Sequence, residues 1–482
     1  MRTFALLLLV VVVPAGAQDL GETVFANTGA PEAQEPFLRG LLLLHSFEYD
    51  DAREAFQEAR RRDPDFAMAA WGEAMTHNHP VWLRQDRDAA LAVLEGADAM
   101  PASARERAYL ATLDALFRGE ASKEARDDAY AGAMGRLATE YPGDLDAAAF
   151  YALSILGTAH EGRDFTTYMR AAAVAEEVFD ANPQHPGAAH YLIHAYDDPV
   201  HAPLGLRPAR VYAEVAPAAS HALHMPSHIY LALGMWDDVE RMNRRSYEAA
   251  KAGTDRKGEP LNGHGWHALW WWHYAATQSE DSALADSLLA VAEAHHAGGA
   301  TGTSLAHVVR IRAEHATAFD EWAVILEAPA QTAEAGLNTL AIDALARGLG
   351  QLQTGGDARA TLLGLTGALA EADDPSWAAR AAASQLEGAI LLSEDDAGTA
   401  LERLVEAARL EAEAPLMFGP PSPVVPAHEA LGLAYLEVGR ADDAAEAFRA
   451  SLARQTGRRQ SADGLERAVR TGRGAVPAGG GR

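Results

Sequence analysis

HEALGLAYLEVGRADDAAEAFRASL, residues 428 to 452, is the stretch from which the rest of the chain can be read. Apolar residues recur every three or four positions on both sides of Val438-Gly439-Arg440, the pattern of two amphipathic helices joined by a glycine turn. Gly432, Ala444 and Ser451 are small enough to let two antiparallel helices approach closely, and Phe448 fills the space between them. The segment therefore predicts a helical pair with a defined contact face.

The same arrangement recurs along the chain. Gly432, Ala444, Phe448 and Ser451 are spaced by 12, 4 and 3 residues, as are Gly40, Ala52, Phe56 and Ala59, and Gly388, Ala400, Leu404 and Ala407. Pro64 follows Ala59 by five residues and stops the second helix of its pair. A weaker copy sets Tyr230, Gly234 and Val239 where Tyr435, Gly439 and Ala444 stand. These positions resemble the tetratricopeptide repeat, most closely in residues 428 to 452 and in RGLLLLHSFEYDDAREAFQEARRRDP, residues 39 to 64. The resemblance implies an all-α fold, a helical-repeat α-solenoid of antiparallel helix pairs. It also implies a protein or peptide partner held in the solenoid groove.

The beginning of the chain reads differently. Arg2, an apolar run from Phe4 to Val13 and then Ala15-Gly16-Ala17 have the layout of a secretory signal peptide, and the run is too short to span a bilayer. Residues 1–17 are expected to be removed near Ala17, leaving an exported protein, periplasmic or extracellular, soluble and without stable membrane insertion. Helical repeats are expected over 18–135, a His- and Trp-rich central set over 136–275, and further repeats over 276–453. Residues 454–482 carry seven arginines against two acids and end in GAVPAGGGR, which predicts a disordered basic tail.

Composition narrows the chemistry. The formal charge is −28, from 68 acidic and 40 basic residues, which argues against nucleic acid and anionic lipid as partners. There is no cysteine, so neither disulfides nor thiolate metal sites are available. Nucleophile elbows, phosphate-cradling loops and dinucleotide fingerprints are absent from the sequence.

Histidine is the exception to this repetitive background. Of 19 histidines, 11 lie between His160 and His273, seven of them between His185 and His228. In HYLIHAYDD, His190, His194 and Asp197 fall within about 60° of one helical face. In HALHMPSH, His221 and His224 are one turn apart, and Pro226 starts a new helix whose first turn holds His228. His190, His194, Asp197, His221, His224 and His228 together form one candidate metal centre, suited to a divalent transition metal: zinc, copper or iron. In HGWHALWWWHY, His267, Trp270 and Tyr274 follow one another at helical spacing and are candidates for a pocket wall, with Trp266, Trp271 and Trp272 nearby. His77 and His79 read as a loop, and His160-Glu161 as a remote further ligand.

Several functions remain open on these residues. One is an exported repeat scaffold with a metal centre. A second is a metal-dependent hydrolase or oxidoreductase built on the repeats. A third is an interaction module whose histidines form only a buried polar network, and a fourth is a small-ligand binder walled by tryptophan.

Overall fold

The computed structural model describes residues 19–474. The segment 1–17, expected to be a signal peptide, and the final residues of the chain lie outside them. Apart from one two-residue strand pair, Asn78–His79 with Arg84–Gln85, and three short 3-10 turns, every regular element among the described residues is an α-helix. Consecutive helices pack in pairs: Pro31–His45 on Tyr49–Arg62, Trp377–Ser393 on Ala397–Glu413, Ala427–Glu437 on Ala441–Arg454. The fold is an all-α helical-repeat architecture. None of the described helices is long and apolar enough to cross a membrane.

Local signals set the helix ends. Asp144, Asp164, Asp281 and Asp396 each accept a hydrogen bond from a backbone N–H in the first turn of the helix that follows, and Ser103 with Glu106 closes a full capping box. Within pairs, the turn places one residue in the left-handed region and the next N–H bonds back five residues. Met235 N–H donates to Tyr230 O at 2.8 Å, Arg440 N–H to Tyr435 O at 2.8 Å, and Glu48 N–H to Leu43 O at 3.0 Å. Glycine supplies the positive φ at Gly234 and Gly439, but at the equivalent place in the first pair stands Phe47, with φ 55°.

The small residues do what their spacing predicts. A methyl group on Gly40 would sit 2.9 Å from the Phe56 ring, one on Gly432 2.9 Å from Phe448, and one on Gly388 2.7 Å from Leu404. Each phenylalanine is also pressed from the far side by a glycine of the next helix, Gly72 against Phe56 and Gly464 against Phe448. Phe56 and Phe448 are completely buried between these glycines.

Two expectations change. Of the stretch 454–482 expected to be a disordered tail, the part within the described residues instead forms the helix Arg459–Gly474, packed on Ala441–Arg454; residues 475–482 lie outside them. The cause is burial: Ala468 is 1% exposed, and Arg458 forms a buried ion pair with Glu429 at 2.7 Å. The chain also divides into two compact units, one of residues up to Ala195 with Arg210–Leu223, the other of Tyr196–Ala209 with the residues from His224 onward. That division runs through the segment 136–275, which the sequence groups as one part.

Candidate metal centres

The histidines expected to share one centre fall into two groups, one in each unit. HALHMPSH is divided between them: His221 belongs to the first unit, His224 and His228 to the second.

In the second unit the ring nitrogens of His224, His228 and His267 lie within 4.8 Å of one another. The short helix Ser220–His224 ends at the first of these, and Pro226 opens the helix Pro226–Ala232 that carries the second. His228 is therefore one turn from His224 despite the proline, and their Nε2 atoms are 2.9 Å apart. His267 comes from the helix Gly263–Gln278, with its ring 4.6 Å from that of His224.

The outer partners fix the tautomers. His224 Nδ1 lies 2.6 Å from Asn243 Oδ1. Asn243 Nδ2 donates to the Val239 carbonyl at 2.8 Å, so its Oδ1 accepts and Nδ1 of His224 carries the proton. His228 Nδ1 lies 2.6 Å from Asp197 Oδ2, a carboxylate that can only accept when ionised. In the neutral form of both rings the Nε2 lone pairs face each other. Burial holds His267 well below its ordinary pKa, and the neighbouring His224, His307, His228 and His264 add to the effect, so it too is neutral with a lone pair to offer.

Apolar walls surround this group. Trp271 is 4.7 Å from His224 and 4.5 Å from His228, centroid to centroid. The Pro-rich segment 418–426, which reads in sequence as a mere separator, covers it: Phe418 stands 6.1 Å from His228, and Gly419 is glycine because a methyl group there would strike Trp271. Asp197 is therefore placed as the partner of a histidine ring rather than within the nitrogen cluster. His267, expected as a wall, is placed among the nitrogens. Trp270 does flank His267 at 5.4 Å, but Tyr274 is core, edge-on to Trp236 and within 3.3 Å of Arg458.

In the first unit, ring nitrogens of His190, His194 and His221 also lie within 4.8 Å of one another, and all three residues are buried. His79 reaches this neighbourhood indirectly, stacked on Tyr49 at 3.9 Å beside Trp82, whose ring is 6.2 Å from His221. His160 pairs instead with Asp128 at 3.1 Å.

A further group, His45, Asp146 and His185, has the spacing of a ligand set but not its chemistry. His45 Nε2–H donates to Asp146 Oδ1 at 2.9 Å, while its Nδ1 accepts from the Tyr191 hydroxyl at 2.9 Å. Thr23 donates to the other carboxylate oxygen at 2.7 Å, and Ala188 N–H donates to His185 Nδ1 at 3.3 Å. Burial pushes His45 down to about 4, so it is neutral. Burial would raise Asp146, but the hydrogen bonds from His185 and His45 outweigh it and hold the carboxyl below its usual range. This is a hydrogen-bonded knot, not an ion site. Sequence pattern offered no signal for it, nor for Asn243, because their partners stand on other helices.

Fold and site together define a class: an all-α helical-repeat protein with buried histidine triads. No protein-family model matches the chain, and no curated protein matches it. Among solved structures it is similar to the APC/C hetero-tetramer Cut9–Hcn1, at 15% identity and TM-score 0.36, covering 92% of this chain and 78% of that one. It is also similar to yeast Tom70, at 11% identity and TM-score 0.33, covering 92% and 89%. Human IFIT1 bound to m7Gppp-AAAA gives 10% identity and TM-score 0.38, covering 93% and 92%. What those proteins bind does not carry over to this chain.

Proposed function

We propose that the protein is an exported helical-repeat metalloprotein that binds a divalent transition metal ion through His224, His228 and His267. The reading is carried by the two Nε2 atoms 2.9 Å apart, on rings whose Nδ1 protons are committed to Asn243 and Asp197. Two facing lone pairs repel unless a cation lies against both. An ion ligated tetrahedrally at about 2.0–2.1 Å by each would hold the nitrogens about 3.3 Å apart, a small opening from the 2.9 Å between them here. Asp197 would then play the carboxylate partner that orients a ligating histidine and raises its basicity. All-imidazole ligation suits zinc or copper, and iron less well without a carboxylate in the set.

A single proton shared along Asp197, His228, His224 and Asn243 would also relieve the repulsion. That second reading makes the group a structural network and leaves the approach of His267 without a purpose. Three protein ligands leave an ion one open position, the place from which a hydrolase or oxidoreductase would work. Export is supported by Arg2, the apolar run and Ala15 to Ala17. A protein or peptide partner is supported by the repeat pattern alone.

The test is zinc titration of the full chain, with bound metal counted by elemental analysis. His228→Ala should lose one equivalent relative to the parent, and Asp197→Asn should bind that equivalent about 10- to 100-fold more weakly. A His228→Ala chain that binds as much zinc as the parent would sink the reading.

A further inference from the structure

The first unit holds its own group of imidazoles, built on different residues. We infer that His190, His194 and His221 form a second, separate metal site, so that the chain takes two ions and not one. The inference does not depend on the centre proposed above.

Three helical features bring these rings together. On the helix Pro186–Tyr196, His190 and His194 are one turn apart, with ring centroids 4.8 Å from each other. His221 enters from the helix Ser220–His224, with its ring 5.0 Å from that of His190. Glu48 fixes that entry: one carboxylate oxygen accepts both the His221 backbone N–H and the Ser220 hydroxyl, each at 2.9 Å. The first turn of that helix is thereby anchored to the turn of the first repeat pair.

The tautomer of His190 is set in the manner of a ligand. Its Nδ1–H donates to the His45 carbonyl at 2.7 Å, which leaves the lone pair on Nε2. Nε2 of His190, His194 and His221 are all shielded from solvent. The residues are 0%, 4% and 6% exposed, and the three nitrogens converge within 4.8 Å. An ion between them would offset the cost of gathering three imidazoles out of water.

Phe47 is the independent observation. Its turn position is held by Gly234 and Gly439 in two later pairs and by the acidic residues Glu280 and Asp395 in two others, whereas here a bulky aromatic side chain stands at φ 55°, a strained conformation for it. The ring that this conformation delivers is completely buried and packs on all three histidines: 4.2 Å from His190 and 5.7 Å from both His194 and His221. A strained residue is retained where it walls the site and fixes the three rings. The ligand class is a divalent ion that accepts all-nitrogen ligation, zinc or copper, with an open position for water or a small anion.

Zinc added to the full chain should bind as two equivalents. His194→Ala should remove one and leave the equivalent that depends on His228, and His194→Ala combined with His228→Ala should remove both. Circular dichroism would confirm that the helices persist, and His194→Gln, which keeps a polar side chain of similar reach, should lose the same equivalent if the Ala variant unfolds. Histidine side-chain NMR on the unmodified chain gives a second readout, with His190, His194 and His221 shifting together on zinc binding. If His194→Ala and His194→Gln both retain two equivalents, or if those three signals do not move, the second site does not exist. A chain that binds one equivalent, removed by His194→Ala and unaffected by His228→Ala, would refute the first centre and leave this one standing.

Discussion

At the residue scale, the most informative side chain outside the triads is Glu314. It is 3% exposed, and Trp270 Nε1–H donates to its Oε1 at 2.8 Å while Oε2 is buried without a hydrogen-bond partner. Burial pushes its pKa from 4.5 up to about 7, and Arg310 only partly opposes this from the next turn of the helix. The folded chain therefore holds that proton to higher pH than the unfolded chain does. Stability from this group is complete below pH 4.5 and declines as the pH rises towards 7, by about 3 kcal/mol at about 1.4 kcal/mol per unit. Glu314→Gln keeps an acceptor for Trp270 and removes the titration. Its denaturation midpoint should match the parent near pH 4.5 and exceed it at pH 8. A difference between the two that does not change with pH would show that Glu314 is not held neutral.

At the element scale, the repeat is a sandwich of a large residue between glycines. Sequence spacing revealed half of it, the 16 residues from Gly40 to Phe56 and from Gly432 to Phe448. The other half was present but unread: Gly72 and Gly464 lie 16 residues further on, and each presses its phenylalanine from the next helix. Gly464→Ala and Gly72→Ala should each destabilise by about 1–3 kcal/mol through overpacking, measured by urea unfolding. Gly132, inside the helix Lys123–Glu140, faces only the Arg136 guanidinium at 3.6 Å. There the same substitution should stabilise by about 0.5–1 kcal/mol, since alanine is the better helix former and nothing obstructs it. Equal effects at all three positions would show that close packing is not what selects glycine.

At the scale of the whole molecule, the helix Arg459–Gly474 is tied in by a buried ion pair. Arg458 binds Glu429 through two nitrogens, at 2.7 and 2.8 Å, and both residues are under 5% exposed. Arg458→Met should cost about 3–5 kcal/mol, because it strands a buried carboxylate, whereas replacing both partners with apolar residues should cost far less. Metal acts at the same scale. An ion at 100 times its dissociation constant should stabilise the unit that binds it by about 2.7 kcal/mol, so thermal unfolding should shift upward with zinc and return with a chelator. Unfolding indifferent to zinc would count against both triads.

The sequence alone determined the all-α class and the pairing of consecutive helices, because both follow from apolar periodicity and from small residues at fixed local spacing. It located the histidine-rich region and put His190 with His194 on one helical face. Which rings share a site was decided only by tertiary structure. Periodicity says which residues share a face, but not which distant helix packs against it. His190 and His194 gain His221, while His224 and His228 gain His267, with Asp197 and Asn243 behind them. The basic stretch after Arg454 shows the same limit: its composition reads as a tail, and burial of Arg458 and Ala468 accompanies a helix over Arg459–Gly474.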